Sequence, residues 1–218
     1  MRRFQCICNF EKETQMLHIT TLPLGDYQTN CYIVYADGSS ACAVIDPGYE
    51  PRRVLDQCAS LGLKIEAILL THGHFDHVGA VEELVEATGC SLWMHQSDYS
   101  QFPNPTNAFF YPLVNCDFTE VQFCEEAQVI CVGGLEFTVL HTPGHTFGSV
   151  CYRCGDALFC GDTLFAGSCG RTDLPGGDPA VMRQSLSRLK DLTEDLQIFP
   201  GHGGSSTLEE EKNHNPYL

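Results

Sequence analysis

The stretch Thr71-His72-Gly73-His74-Phe75-Asp76-His77 places three imidazoles and one carboxylate within the six positions 72–77, directly after the apolar run Ala67-Ile68-Leu69-Leu70. Neutral imidazole and carboxylate are donors that suit zinc. Crowding them together carries repulsion and desolvation costs that a cation offsets. A single histidine at a strand end is usually a hydrogen-bonded structural residue, but that reading does not account for the whole cluster. The apolar run reads as a buried strand. In extended backbone alternate side chains share a face, so His72, His74 and Asp76 are expected to converge while His77 points elsewhere. His77 falls where the chain enters its next helix, which would let one segment serve two ions.

Three later segments repeat the arrangement of an apolar run followed by a donor: 135–140 leads to His145, 157–160 to Asp162, and 196–199 to His202. Sites of layered α/β folds gather in the loops along one sheet edge, so donors far apart in sequence are expected to meet there. Gly73, Gly144, Gly161 and Gly201 lie beside these donors and permit close backbone approach.

The elements that must position these residues are legible in outline. Strands over 17–24, 31–35 and 41–45, closed by Asp46-Pro47-Gly48, form an opening meander. Pro51 begins an amphipathic helix with Val54, Leu55, Cys58 and Leu61 on one face and Gly62 as its stop. A second helix carries Val81, Leu84 and Val85 up to Gly89, and a strand covers 90–95. This alternation predicts an α/β fold. Residues 102–118, with Pro103, Pro105 and Pro112 among aromatic rings, read as a long ordered loop. A hairpin pairs 129–132 with 135–140 around Gly133-Gly134, and a second strand pair covers 150–152 and 157–160. Asp178-Pro179 caps a helix bearing Met182, Leu186 and Leu189, a last strand covers 196–199, and Thr207 with Glu210 resembles a capping box opening a short terminal helix.

A chain of 218 residues fits one domain, here 16–218, and residues 1–15 show no period and read as a disordered or spurious extension before Met16. No apolar stretch approaches a membrane span. The formal charge of −16, from 12 basic and 28 acidic residues, argues against nucleic acid or an anionic membrane as partner. Thirteen cysteines, an odd number without a signal peptide, point to a reducing cytoplasm in which buried thiols act as small hydrophobes. The pair Cys151-x-x-Cys154 is redox-active, metal-binding or simply packed.

Taken in order, Thr-His-Gly-His-Phe-Asp-His, Thr-Pro-Gly-His-Thr, Cys-Gly-Asp-Thr-Leu-Phe and Pro-Gly-His-Gly resemble the motifs of the metallo-β-lactamase superfamily, from about Leu17 to the C-terminus. The resemblance implies an αββα four-layer sandwich with a two-metal site at one edge. His72, His74 and His145 would hold the first metal, Asp76, His77 and His202 the second, and Asp162 would bridge them. The cofactors so implied are two divalent ions, zinc foremost, with iron or manganese as alternatives. The run Ala166-Gly167-Ser168-Cys169-Gly170-Arg171-Thr172-Asp173 and the ending Asn215-Pro216-Tyr217-Leu218 are most similar to compact type II glyoxalases, the hydroxyacylglutathione hydrolases. Only residues 203–218 follow His202, too few for the helical domain of the two-domain glyoxalases. Persulfide dioxygenases carry a similar Gly-Arg-Thr-Asp loop.

The activity this implies is hydrolysis of a small-molecule thioester, an S-2-hydroxyacyl thiol such as S-lactoylglutathione. Two cations sharing a water would lower its pKa from about 15.7 toward neutrality, giving a hydroxide nucleophile that Asp76 orients. A thiolate leaves without a separate acid. Arg171 would pair either with a substrate carboxylate or with Asp173. His95 and His141 match no ligand position and read as structural. The rival readings are a mononuclear iron dioxygenase of persulfides, distinguished by metal content, and a non-catalytic metal-binding module, distinguished by inactivity after reconstitution.

Overall fold

Burial along β2 (Thr29–Ala36) shows how the layers arise, because nearly every side chain of this strand is covered. Tyr32 and Val34 point to one apolar cluster and Cys31 and Ile33 to another, the alternation a pleated strand imposes when both its faces are packed. The computed structural model describes residues 16–102 and 121–218. The expectations for residues 1–15 and for 103–118 of the long loop fall outside this range.

The first sheet runs in the order β1 (Leu17–Leu24), β2, β3 (Ala41–Ile45), β4 (Lys64–Leu69), β5 (Ser91–His95) and β6 (Val121–Cys124). Its first three strands pair antiparallel, as the meander requires. From β3 to β6 all pairs are parallel. The crossovers carry α1 (Pro51–Ser60), then α2 (Phe75–Val78) and α3 (Val81–Thr88), and after β5 the single turn α4 (Gln96–Tyr99).

The second sheet contains β7 (Val129–Val132), β8 (Leu135–His141), β9 (Val150–Cys154), β10 (Ala157–Gly161), β13 (Gln197–Pro200) and β14 (Ser206–Thr207), in the order β14-β13-β10-β9-β8-β7. Gly133 and Gly134 both take positive φ, 57° and 86°, as the tight turn between β7 and β8 demands. A small hairpin of β11 (Leu164–Phe165) and β12 (Ser168–Cys169) follows β10, and α5 (Pro179–Lys190) and α6 (Leu208–His214) complete the described chain. Asp178 caps α5, accepting the Ala180 and Val181 N–H groups at 2.7 and 3.1 Å.

Three apolar clusters define four layers. Val54, Cys58 and Leu84 of the first helices pack on Ile33, Val44 and Ile68. Between the sheets Tyr32, Val34, Ile45 and Leu69 meet Phe137, Val139, Tyr152 and Phe159. Met182, Leu186 and Leu189 of α5 cover Leu140, Cys151, Leu158 and Ile198. This is the expected αββα sandwich. It also resolves Cys151 and Cys154: three positions apart on one strand, they face opposite sides, Cys151 toward α5 and Cys154 into the space between the sheets. They cannot join, and both pack as buried free thiols. No helix among the described residues is long and apolar enough to cross a membrane.

Candidate metal centre

Strand direction brings the donors together. β3, β4 and β5 are parallel, and β8, β10 and β13 run in one sense because β9 is antiparallel to both β8 and β10 while β13 is parallel to β10. Their C-terminal ends lead to Asp46, His72–His77 (72–77), Asp98, His145, Asp162 and His202.

One grouping expected from strand periodicity is corrected. His74 is the N-cap of α2, with φ −69° and ψ 148°, and Asp76 lies inside that helix rather than on an extended strand. A helix turns the chain by about 100° per residue, so Asp76 leaves the face of His72 and His74 and joins His77. Three groups have donor atoms within 4.8 Å of one another: His72, His74 and His145; Asp76, His77 and His202; and Asp46, His72 and His77, which links the other two. In the first, His145 Nε2 is 2.9 Å from His74 Nδ1. In the second, His202 Nε2 is 3.3 Å and His77 Nε2 3.7 Å from Asp76 Oδ2. Asp162 stands between them: Oδ1 is 3.4 Å from His77 Nε2, and Oδ2 is 3.5 Å from His145 Nε2 and 3.6 Å from His202 Nε2. His77 therefore does not point away, and its ring centre is 4.1 Å from that of His72.

The outer nitrogens are anchored so that the inner ones face the centre. Asp46 Oδ2 is 2.9 Å from His77 Nδ1 and also accepts the Thr71 hydroxyl at 2.5 Å. With its proton committed to Asp46, Thr71 Oγ1 accepts from His72 Nδ1 at 3.1 Å. His145 Nδ1 donates to the Arg171 carbonyl at 2.7 Å and His202 Nδ1 to the Tyr27 carbonyl at 3.2 Å. Such outer partners fix the tautomer and aim the ring at a metal.

The donor set fits a cation on the structure's own terms. His72 Nε2, His77 Nε2 and Asp162 Oδ1 are buried with no hydrogen-bond partner among the described residues. Leaving such an atom unsatisfied costs about 1–3 kcal/mol, and a cation among them satisfies all three. Burial, together with the neighbouring imidazoles, holds His72 well below its ordinary pKa and His74 down to about 3. Burial also lowers His145. Burial works against the His77 cation too, but Asp162 and Asp46 outweigh it and hold His77 well above its ordinary value. Burial disfavours the Asp162 carboxylate, yet His77, His145 and His202 hold its pKa far below the carboxylate range.

Space at the centre is reserved by glycine. A Cβ on Gly201 would stand 2.2 Å from Asp162 Oδ1 and 2.7 Å from His77 Cε1. Gly161 has φ 47°, and its Cβ would meet Thr71 Oγ1 at 2.2 Å.

Arg171 lies beside the site through its backbone. Its guanidinium is exposed and binds Asp173 in two bonds of 2.7 Å. His95 and His141 stack at 4.2 Å with an 8° interplanar angle, outside both donor sets. Sequence reasoning passed over two carboxylates. Asp46 reads from sequence as a turn residue, and its φ of 50° fits a turn, but its side chain also orients His77. Asp98 follows a strand just as Asp162 does, and that was the available signal. Burial raises its pKa to about 6.

The layers and the edge cluster define an αββα protein with a His/Asp metal-binding site. The chain belongs to the metallo-beta-lactamase superfamily, whose description matches residues 24–202. It is 34% identical over 215 residues to the hydroxyacylglutathione hydrolase GloC of Haemophilus influenzae, covering 93% of this chain and 98% of that one. It is similar to the crystal structure of TTHA1623 in a di-iron-bound form, with a TM-score of 0.78, 39% identity and coverage of 91% of this chain and 100% of the other. It is also similar to ETHE1 from Myxococcus xanthus, with a TM-score of 0.77, 30% identity and coverage of 91% and 83%.

Proposed function

We propose that this chain is a two-metal thioesterase that hydrolyses S-2-hydroxyacyl thiols such as S-lactoylglutathione. The observation that carries the reading is the position of Asp162 between two donor sets, His72, His74 and His145 on one side and Asp76, His77 and His202 on the other. The hydroxyacylglutathione hydrolase relative supports the substrate class. Two divalent ions held there, zinc foremost, supply Lewis acidity and a water activated at neutral pH.

The chain's own residues do the rest. Burial opposes charge on Asp76, but His202 and His77 keep its pKa below the ordinary carboxylate value, so it stays an acceptor able to orient the attacking water. The Thr29 hydroxyl, 3.3 Å from Asp76 Oδ2, helps fix that carboxylate. Substrate approaches past His202, whose side chain is 28% exposed, whereas those of His77 and His145 are at 0% and 3%. Attack at the thioester carbonyl breaks the C–S bond and yields a carboxylate and a thiol, and the thiolate is stable enough to leave without a general acid. Arg171 can exchange Asp173 for a substrate carboxylate, since an exposed, solvent-screened pair is easily replaced. The acidic chain and its buried free thiols favour a small-molecule substrate in a reducing cytoplasm over nucleic acid or membrane.

A mononuclear iron dioxygenase of persulfides is the second reading, favoured by the Gly170-Arg171-Thr172-Asp173 loop and the likeness to ETHE1. The two are separated by assaying metal-defined protein on an S-2-hydroxyacyl thiol and on a persulfide with oxygen uptake recorded. Thioester cleavage that needs two equivalents of metal is expected. One iron per chain with oxygen uptake and no thioester cleavage overturns the proposal.

A further inference from the structure

Asp98 is completely buried, and among the described residues no cation pairs with it. Its carboxylate is held by three donors instead. Oδ2 accepts the Gly73 N–H at 2.9 Å and the Thr146 hydroxyl at 2.8 Å, and Oδ1 accepts the Gly148 N–H at 2.6 Å. Gly73 separates His72 from His74, and Thr146 follows His145. One carboxylate therefore ties together the two loops that deliver all three imidazoles of one donor set.

The turn carrying Asp98 is gripped a second time. His95, the N-cap of α4, accepts the Ser97 N–H and stacks on His141, whose Nε2 donates to the Phe147 carbonyl at 3.1 Å. Gly148 fits so closely that a Cβ would stand 2.7 Å from Asp98 Oδ1. Asp46 braces His77 of the other donor set directly and reaches His72 only through the Thr71 hydroxyl, whereas Asp98 touches none of Asp76, His77 and His202.

We propose that Asp98 is a positioning residue for the three-histidine site alone: it fixes the separation of the His72–His74 and His145 loops and thereby sets that site's affinity for metal. Every group facing it is a donor, so only a carboxylate satisfies them. An asparagine in either orientation turns its own NH2 toward a backbone N–H, opening one loop from the other. The inference rests on the two-metal reading above.

Metal-depleted wild-type protein, Asp98→Asn, Thr146→Val and His202→Ala are titrated with Zn(II) by calorimetry, and with Co(II) while its visible absorption is followed. Wild type is expected to take up two equivalents, and a single equivalent would sink the two-metal reading itself. His202→Ala removes a donor from the other set, so the step it weakens identifies that set. Asp98→Asn is expected to weaken the opposite step about 10- to 100-fold, the usual effect of losing an outer partner, and to alter the Co(II) bands of that step only. Thr146→Val keeps the carboxylate and two of its bonds, and shifts the same step by less. Both steps unchanged, or both weakened alike, overturns the proposal. Should Asp98→Asn not fold, Thr146→Val decides: selective weakening supports the assignment and no weakening defeats it.

Discussion

Asp162→Ala removes a donor from both sets at once, because Oδ2 lies within 3.6 Å of both His145 and His202. Thioester hydrolysis should fall by about 100-fold or more, at or above the upper end of what losing an outer partner costs, and steady-state kinetics with metal content measured alongside reads this directly. Gly201→Ala acts by crowding instead. The new methyl would stand 2.2 Å from Asp162 Oδ1 and 2.7 Å from His77 Cε1, and overpacking of this kind costs about 1–3 kcal/mol. A lowered melting temperature in metal-free protein is the expected result, and an unchanged one would show that the centre yields without strain. At this scale the sequence disclosed the donors but not their supports. His72, His145, Asp162 and His202 each follow an apolar strand, which is a local signal. Asp46 orients a histidine 31 positions away, and Asp98 holds Thr146 at a separation of 48, and no local pattern encodes either pairing.

The strands were legible because apolar runs separated by turn residues leave little choice of boundary, and the β7–β8 hairpin was fixed by two glycines with positive φ. The first turn of α2 was not legible. Four residues carry no period, so an extended reading put Asp76 on the wrong face. The role of α6 was equally hidden. Glu211 and Asn215 lie on one side of it, spaced by one helical turn. Asn215 Nδ2 donates to the Phe165 and Ser168 carbonyls at 3.2 and 2.9 Å, and Glu211 Oε2 accepts the Gly167 N–H at 2.8 Å. They hold the β11–β12 hairpin, whose continuation presents the Arg171 carbonyl to His145. Asn215→Ala should therefore cost about 1 kcal/mol by removing the donor to two half-buried carbonyls. It should also raise amide hydrogen exchange across 165–171, and protection there equal to wild type would show that α6 does not support the loop.

Across the whole molecule the two donor sets differ in charge as well as in composition. Burial keeps His72, His74 and His145 neutral, His74 down to about 3, so metal entering that set displaces no proton near neutral pH. The other set is opposite in sign. Burial disfavours charge on His77 and His202, but Asp162 with Asp46 raises the first and Asp76 with Asp162 raises the second. These imidazoles hold a proton more tightly in metal-free protein than an ordinary histidine does, and a histidine must shed its proton to become a donor. Lowering the pH therefore strengthens proton competition at that set first, and each proton displaced costs about tenfold in affinity per pH unit below the raised pKa. As the pH falls below the raised values of His77 and His202, one equivalent should dissociate first while the three-histidine set keeps its ion. Metal content after dialysis against a chelator-buffered solution at each pH measures this. Loss of both equivalents in parallel would mean that the carboxylates do not divide the centre into unlike halves, and a pH-driven passage from a two-metal to a one-metal protein would be ruled out.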